Sequence, residues 1–302
     1  MVTSVVIKAY PKVPVTTMAF AYTTGPNVTA DTFWAGLGAY MKYYTRFTDA
    51  GAFGYFLVVS ISPGEFLFNF MPFWGTNMTA PRLTSLVAPY LADLASLGIT
   101  VAPNITEYPT LWQAFQGTWG PEVVGASVGH SGSRLFPKEN FDDAAKRNAT
   151  LGAVRYAIEQ GGVLIGYNIK PASNPAVNQN NAVNPAWRKA TAFYILGGPQ
   201  LPPSASDAEV ANAARTLTTD WLQRWRDVSP GSGTYLSEGD INEPNFQQSF
   251  FGSAYPRLYQ LKQRYDPTGL LYAHQAVGSE DWYVTGQIPY YPTQNGRLCR
   301  RT

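Results

Sequence analysis

Apolar and polar residues alternate along the first part of the chain in patterns that predict strands and helices. Residues 3–10 and 15–23 are rich in β-branched side chains bounded by prolines, which is typical of strands. Residues 31–47 carry aromatic and aliphatic side chains at helical spacing. Two apolar runs, 53–61 and 65–73, flank a Ser-Pro-Gly sequence, and we therefore expect a β-hairpin there.

The same mixture of patterns continues to about residue 232. It predicts helices at 83–97, 141–160 and 206–228 and strands at 99–105, 163–170 and 190–196. Strands joined by both hairpins and helices indicate an α+β fold, a large and mostly antiparallel sheet with helices on one face. Residues 233–302 form irregular segments around a helix at 255–265, too few to make their own core. We therefore predict a domain at residues 1–232 and a C-terminal segment at residues 233–302.

Composition narrows the classes of function. The 302 residues are 45% hydrophobic and only 14% charged, with a net charge of +2, so neither a nucleic-acid partner nor a membrane is indicated. One cysteine, Cys299, and two histidines argue against a metal site. Glycosylation sequons begin at Asn27, Asn77, Asn104 and Asn148 and favour a secreted protein. Any signal peptide would have to lie upstream of Met1.

Motifs of the common enzyme classes are weak. Neither a GxGxxG sequence nor a Walker loop is present, so nothing in the chain is suited to hold a dinucleotide pyrophosphate. Residues 125–129 fit the GxSxG pattern around Ser127, and His274 follows in the order of an α/β-hydrolase. The elbow needs a helix directly after it, and Gly132 and Pro137 disfavour one. A serine hydrolase is therefore the third choice.

The most informative residues lie between 234 and 282. Short motifs follow one another there: Tyr235 to Asp240, Glu243-Pro244-Asn245, Phe251-Gly252, Tyr265-Asp266-Pro267 and Val277-Gly278-Ser279-Glu280. This series resembles the berberine-like C-terminal segment of FAD-linked oxidases of the vanillyl alcohol oxidase superfamily. The first strand resembles the one that follows the flavin domain in this family, and residues 180–188, NNAVNPAWR, resemble a loop of its fungal members.

The resemblance implies a function and a missing partner. Family members oxidise an alcohol, a sugar hydroxyl or an activated C–H bond by hydride transfer to FAD, with molecular oxygen as the expected acceptor. A large N-terminal domain holds most of the FAD and attaches it covalently through a histidine and often a cysteine. We expect that domain to be absent from this chain and to be the surface on which residues 233–302 pack. The alternative is a flavin-free binding module with the same fold.

The resemblance also implies site residues. The family pattern at the flavin is Tyr, any residue, Asn, Tyr or Glu, any residue, Asp. Here it reads Tyr235, Leu236, Ser237, Glu238, Gly239 and Asp240, so serine replaces the usual asparagine. Glu238 and Tyr235 are the expected catalytic residues, with Glu238 as the base for a hydroxyl proton. Tyr235, Ser237 and Asp240 are the expected flavin contacts, although a solvated turn residue is the alternative for Glu238.

The sheet should supply the opposite wall of a small-molecule substrate site. We predict substrate contacts from Tyr167, Trp187, Phe193 and Phe68, the last sharing one strand face with Phe66 and Phe70. Core packing under the helices is the alternative for each of these aromatic residues. His130 and Arg134 are predicted to lie in a polar Gly/Ser loop, where contact with substrate is one interpretation and a plain surface loop is the favoured one.

Overall fold

The fold is built around one antiparallel sheet. The computed structural model describes residues 3–7, 9–120, 129–171, 180–293 and 295–302. Eight strands lie in the order β5-β1-β4-β3-β7-β8-β6, with β2 beside β4. These strands are β1 (Val15–Ala19), β2 (Ala21–Thr23), β3 (Ala52–Ser62), β4 (Glu65–Thr76), β5 (Asn104–Tyr108), β6 (Ser131–Pro137), β7 (Val163–Asn168) and β8 (Ala190–Gly197).

The helices of the described residues are α1 (Ala30–Lys42), α2 (Tyr44–Asp49), α3 (Ala80–Ser96), α4 (Leu111–Thr118), α5 (Glu139–Asp142), α6 (Ala144–Glu159), α7 (Asp207–Thr216), α8 (Leu222–Val228) and α9 (Tyr255–Tyr265). Most of them cover one face of the sheet, whereas α4 packs on the opposite face beside Val15 and Trp74, and α9 lies in the C-terminal segment. Side chains from α1, α2, α3, α6 and α8 form the main core with the inward-facing strand residues. The predicted α+β architecture, a large antiparallel sheet covered by helices, is confirmed, and α4 departs from the predicted single helical face.

The main core is unusually aromatic. Tyr40 of α1 is fully buried, and its ring lies 4.9 Å from that of Phe70 and 5.4 Å from that of Phe56. The hydroxyls of Tyr44 and Tyr194 hydrogen-bond at 2.7 Å across this core. Each such ring buries a large apolar area, and this burial stabilises the sheet. The sheet in turn holds the side chains of its other face in fixed positions.

Strand register decides which side chains reach the opposite, more open face. Tyr55 of β3 lies opposite Tyr167 of β7, and Tyr167 lies opposite Phe193 of β8. Phe193 is in turn opposite Leu135 of β6. Because side chains alternate between faces along a strand, directly opposed residues share a face. These four side chains therefore stand in one line across the sheet, on the side away from the main core.

Most predicted elements are confirmed and three need correction. The hairpin, helix α9 and the Ser206–Glu209 capping box of α7 are found as expected. The described part of residues 3–10 is exposed and forms no strand, because a strand needs a neighbour to pair with. The strand expected at 99–105 lies instead at Asn104–Tyr108. Arg134 belongs to strand β6 and not to a surface loop.

The C-terminal segment (residues 233–302) contains α9 and a two-stranded sheet of β9 (Trp282–Val284) and β10 (Leu298–Arg300). Its beginning is bound to the large sheet, because Leu135 N of β6 donates to Gly233 O at 2.9 Å. The domain boundary at residue 232 stays a prediction. Within the described ranges, no helix has the length and apolarity that crossing a bilayer requires.

Candidate active site

Aromatic side chains gather where the C-terminal segment meets the open face of the sheet. The ring of Phe193 lies 5.3 Å from that of Trp187, 5.8 Å from that of Tyr167 and 6.3 Å from that of Tyr235. Trp187 and Tyr235 are 6.0 Å apart at an interplanar angle of 70°. The structure thus brings together four of the predicted site residues. Tyr167 and Tyr235 are 68 positions apart in the sequence, so only the fold makes these residues neighbours.

The main chain before Tyr235 is fixed to strand β6 and to a later part of the C-terminal segment. Ser232 Oγ donates to Leu135 O at 2.7 Å, and Thr234 N donates to Ser249 O at 2.7 Å. A short hydrogen bond joins the buried hydroxyls of Ser133 and Thr234. Buried backbone groups need such partners. Residues 232–238, which we call the strap, therefore follow one defined path across the edge of the sheet. Tyr235 follows Thr234 directly and is 42% exposed.

Asn184 connects the two sides of the aromatic cluster. Its buried side-chain amide donates to Ser249 O at 2.7 Å and to Thr234 O at 3.2 Å. Its Oδ1 accepts from Ala186 N at 3.0 Å and so begins the 3₁₀ turn that carries Trp187. One side chain therefore sets the positions of Trp187 and of the residue before Tyr235. The sequence suggested only that a family loop lay here.

A buried ion pair holds the next part of the C-terminal segment against helix α8. Arg226 Nη1 donates to Glu243 Oε2 at 2.8 Å, and the two side chains are only 12% and 2% exposed. Ser249 Oγ donates to Glu243 Oε1 at 2.6 Å. Buried charges persist only when they are paired and hydrogen-bonded, as these are. The pair therefore fixes residues 243–249, to which Asn184 and Thr234 are bound.

A second buried arginine lies beside this pair. Arg134 of β6 donates from Nε to Ser229 Oγ at 2.9 Å and from Nη2 to Ser229 O at 2.8 Å. Burial lowers the pKa of Arg134 to about 10, and the nearby Glu243 carboxylate partly opposes this shift. The guanidinium therefore stays charged at neutral pH. Its bonds join β6 to the end of α8, which makes it a structural residue.

The turn after Tyr235 carries the other predicted residues. Leu236–Glu238 forms a single 3₁₀ turn, in which Glu238 N donates to Tyr235 O at 3.1 Å. Ser237 is exposed and Glu238 is half-buried. Both residues are therefore at least partly accessible to solvent, and they follow Tyr235 by two and three positions in the chain. The Tyr-x-Ser-Glu motif is presented toward the surface and not toward the core.

Asp240 is placed differently from its neighbours. Its side chain is buried, and its Oδ1 accepts a hydrogen bond from Asn242 N at 2.9 Å. It also packs closely on Gly132 of β6, because a Cβ atom added to that glycine would lie 3.0 Å from the Asp240 Cβ. Burial is the main cause that raises the pKa of Asp240. Asp240 therefore packs the end of the 3₁₀ turn against strand β6. The predicted flavin contact of Asp240 stays a prediction.

Phe68 lies apart from the aromatic cluster. Its fully buried ring stacks on Tyr22 at 4.9 Å and on Phe56 at 5.6 Å, within the main core under the helices. The alternation of β4 places Phe68 on the face opposite to Tyr167 and Phe193. For this residue the structure supports the core-packing interpretation. We accordingly leave Phe68 out of the site.

Ser127, a remaining candidate from the sequence, lies outside the described residues. The two histidines make separate contacts. His274 Nε2 hydrogen-bonds to Ile241 O at 2.8 Å, and His130 contacts the ring of Tyr291 edge-on. Across the described ranges, His, Cys, Asp and Glu side chains form no cluster that could hold a metal ion.

Comparison with known proteins shows which sequences the chain is similar to. Residues 234–278 match the family "Berberine and berberine like", which is the strap and the segment that follows it. The FAD-linked oxidoreductase patO of Aspergillus clavatus is 30% identical over 99% of this chain and 50% of its own length. A VAO-type flavoprotein oxidase of Thermothelomyces thermophilus is 30% identical over 89% of this chain and 45% of its own.

Solved structures show the same fold. A crystal structure of a VAO-type flavoprotein from Myceliophthora thermophila C1 superposes with a TM-score of 0.81 at 23% identity, covering 96% of this chain and 50% of that one. A second VAO-type flavoprotein from the same source gives a TM-score of 0.80. The chain spans about half the length of the curated relatives it matches. It belongs to the berberine bridge enzyme-like proteins of the vanillyl alcohol oxidase superfamily and corresponds to their C-terminal part.

Proposed function

We propose that this chain forms the substrate-side wall of an FAD-linked oxidoreductase. The whole protein would oxidise an alcohol, a sugar hydroxyl or an activated C–H bond, with molecular oxygen as electron acceptor. Several curated relatives are FAD-linked oxidoreductases, among them patO and a VAO-type oxidase. The observation that carries the proposal is the strap, which places Tyr235 beside the aromatic cluster on the open face of the sheet, with Glu238 in the 3₁₀ turn that follows.

The residues present fit a flat redox cofactor at this place. Tyr235 offers a 42% exposed ring, and Trp187 and Phe193 pack behind it. Ser237 and Glu238 follow in the partly exposed 3₁₀ turn, and the Ser237 hydroxyl is able to donate a hydrogen bond to a polar ring edge. FAD, when bound, supplies the acceptor for the hydride. An N-terminal domain would hold most of that cofactor, and the residues named here would contact only its ring system.

Proton transfer is the chemistry we assign to the chain itself. Removing hydride from an alcohol carbon requires a base for the hydroxyl proton. The Glu238 carboxylate is the group we propose for this step, and the Tyr235 hydroxyl would orient the substrate. Tyr167, Trp187 and Phe193 would form an apolar wall that excludes water from the reacting carbon. Shielding from water strengthens the charge interactions on which such a step depends.

Secretion and glycosylation are proposed on the surface positions of the sequons. Asn27, Asn77, Asn104 and Asn148 are all exposed, so each is accessible to a glycosyltransferase. A signal peptide would lie upstream of this chain.

The experiment that tests the function uses the product of the entire coding sequence. We expect the purified protein to absorb near ~450 nm, as flavoproteins do. A panel of primary alcohols, oligosaccharides and benzylic alcohols, mixed with it without oxygen, should bleach this band for at least one class. A colourless protein would favour the flavin-free binding module. A coloured protein whose band none of the compounds bleaches would reject the proposed substrates.

A further inference from the structure

The open face of the sheet carries a line of parallel aromatic rings that leads away from the proposed reaction centre. It begins at Phe193, beside Tyr235, and continues through Tyr167 of β7 and Tyr55 of β3. It then passes to the segment around α4. We call it the aromatic row, and its members are Phe193, Tyr167, Tyr55, Trp119, Phe115 and Trp112.

Neighbouring rings in the aromatic row are closely spaced and nearly parallel. Tyr55 and Tyr167 are 4.9 Å apart at 28°, and Tyr55 and Trp119 are 4.7 Å apart at 11°. Phe115 continues the stack from Trp119 at 5.7 Å and 17°, and Trp112 follows at 5.9 Å and 16°. The same orientation is thus kept across two strands and a helix. In the main core, by contrast, many ring pairs meet edge to face.

The outer end of the aromatic row is open to solvent. Trp112 is 63% exposed and Phe115 is 43% exposed, with Leu111 exposed beside them. Folded proteins keep few large apolar side chains together on a free surface, and such groups commonly mark a binding site. Helix α4 packs on the sheet through Ala114, which contacts the cluster of Val15 and Trp74, so its aromatic side is displayed and not buried.

Charge is absent from the strands that carry the row. Strands β3, β7 and β8 contain no Asp, Glu, Lys or Arg. The side chains that flank Tyr55 and Tyr167 on their own face are aliphatic or aromatic, namely Phe53, Leu57 and Ile165. An anion would find no cation on these strands, and a sugar would find few partners for its hydroxyls. Desolvating either ligand here would therefore be unfavourable.

We infer that the aromatic row is an extended subsite for a neutral ligand made largely of fused or conjugated rings, and that it guides the oxidisable group to Tyr235 and Glu238. This inference rests on the proposed function only for the reaction at its inner end. Binding along the row depends on residues of this chain alone, so it can be measured without flavin.

Ligand binding to the flavin-free chain tests the inference. The probes are 1-pyrenemethanol as a neutral fused-ring alcohol, xylohexaose as a neutral sugar and 1-naphthoate as an aromatic anion. Binding is followed by calorimetry and by quenching of tryptophan fluorescence. We expect 1-pyrenemethanol to bind more tightly than either of the others. Its Kd should rise about 10-fold or more in Trp112→Ala/Phe115→Ala, since stacking on an aromatic side chain contributes on the order of a factor of ten.

Matched variants separate loss of the row from loss of the fold. Tyr283→Ala removes a ring of comparable exposure on β9, outside the row, and should leave the Kd unchanged. Tyr55→Phe keeps the ring and should bind normally, whereas Tyr55→Leu should bind weakly with an unchanged circular dichroism spectrum. Tighter binding of xylohexaose than of 1-pyrenemethanol would overturn the inference. So would equal Kd values in the Tyr283 and Trp112/Phe115 variants, or no binding of 1-pyrenemethanol.

The outcome is independent of the redox proposal. One outcome is that 1-pyrenemethanol binds in a way that depends on the aromatic row, while the product of the entire coding sequence contains no flavin. This outcome would support the subsite and reject the oxidoreductase. A reducible flavin with no row-dependent binding would keep the oxidoreductase and reject the subsite.

Discussion

Removal of the Glu243 carboxylate should destabilise the chain strongly, because it leaves a buried guanidinium without its partner. Arg226 and Glu243 are 12% and 2% exposed and lie 2.8 Å apart. Deleting one member of a buried pair costs about 3–5 kcal/mol, since the remaining charge stays desolvated. Glu243→Ala also takes away the acceptor of the Ser249 hydroxyl. We therefore expect the free energy of unfolding to fall by about 3–5 kcal/mol.

Two further variants show whether charge burial is the cause. Glu243→Gln keeps the size and one acceptor, so its loss should be smaller, about 1.5–3 kcal/mol, the range for hydrogen bonds to charged groups. The double variant Arg226→Met/Glu243→Leu removes both charges, and apolar replacements of buried pairs are commonly neutral or stabilising. It should therefore be more stable than Glu243→Ala alone, although it has one more substitution.

Urea unfolding at neutral pH, followed by circular dichroism, measures these changes. Glu159→Ala is the matched control, because the Arg155–Glu159 pair on α6 is 36% and 34% exposed and such pairs contribute about 0.3–0.5 kcal/mol. If Glu243→Ala lost no more stability than Glu159→Ala, the reasoning would be refuted. A double variant less stable than Glu243→Ala would equally contradict the role of the unpaired charge.

Three further changes test other parts of the account. Asn184→Ala leaves the carbonyls of Thr234 and Ser249 without this donor and should cost about 1–3 kcal/mol in urea unfolding, whereas the exposed Asn181→Ala should change stability by no more than about 0.5 kcal/mol. Burial raises the pKa of Asp240, so the folded state binds the proton of this carboxyl group more tightly than the unfolded state does. The stability that this adds at low pH is lost as the pH rises through the folded-state pKa. Asp240→Asn should abolish this pH-dependent loss of stability, and an unchanged slope of unfolding free energy against pH in the variant would contradict the prediction. Protein secreted from a fungal host should lose mass on treatment with an N-glycosidase, with peptide mapping placing sugars on sequon asparagines; a fully unmodified chain would reject glycosylation. The sequon asparagines are Asn27, Asn77, Asn104 and Asn148.

Local patterns allowed the sequence to predict most of the helices and the central hairpin. The helical stripe of α1, the Ser206–Glu209 capping box and the turn at Gly64, whose φ is +81°, depend on residues close together in the chain. Each of these signals has a physical cause within one or two turns. For that reason the tertiary structure did not alter them.

Elements that depend on distant partners could not be predicted in this way. Strand β6 reads SGSRLFP, a composition typical of a loop, and it is a strand because it pairs with β8. Residues 3–10 have the opposite character, with strand-forming residues that are exposed and form no strand in their described part. β-propensity describes how well a side chain fits a paired surface, so it fails where the pairing is not known.

The candidate site also combines residues that the sequence could identify with residues that it could not. The resemblance to a family pointed to Tyr235 and Glu238. The alternation of side chains along the strand could have placed Phe68 in the core. Asn184 was missed as a positioning residue because its acceptors lie 50 and 65 residues further along the chain. The aromatic row was missed for a similar reason, since strand register and the position of α4 create it. Sequence motifs name reactive groups more readily than the contacts that position them.

The most direct test of the central claim is the rate of flavin reduction in the complete protein carrying Glu238→Gln. Glutamine keeps the shape and still hydrogen-bonds a hydroxyl, but it accepts no proton. In rapid mixing without oxygen, the account predicts a loss of roughly 10²–10⁴-fold in the reduction rate with little change in substrate binding. Reduction at the wild-type rate would contradict the account and would leave Glu238 as a solvated turn residue.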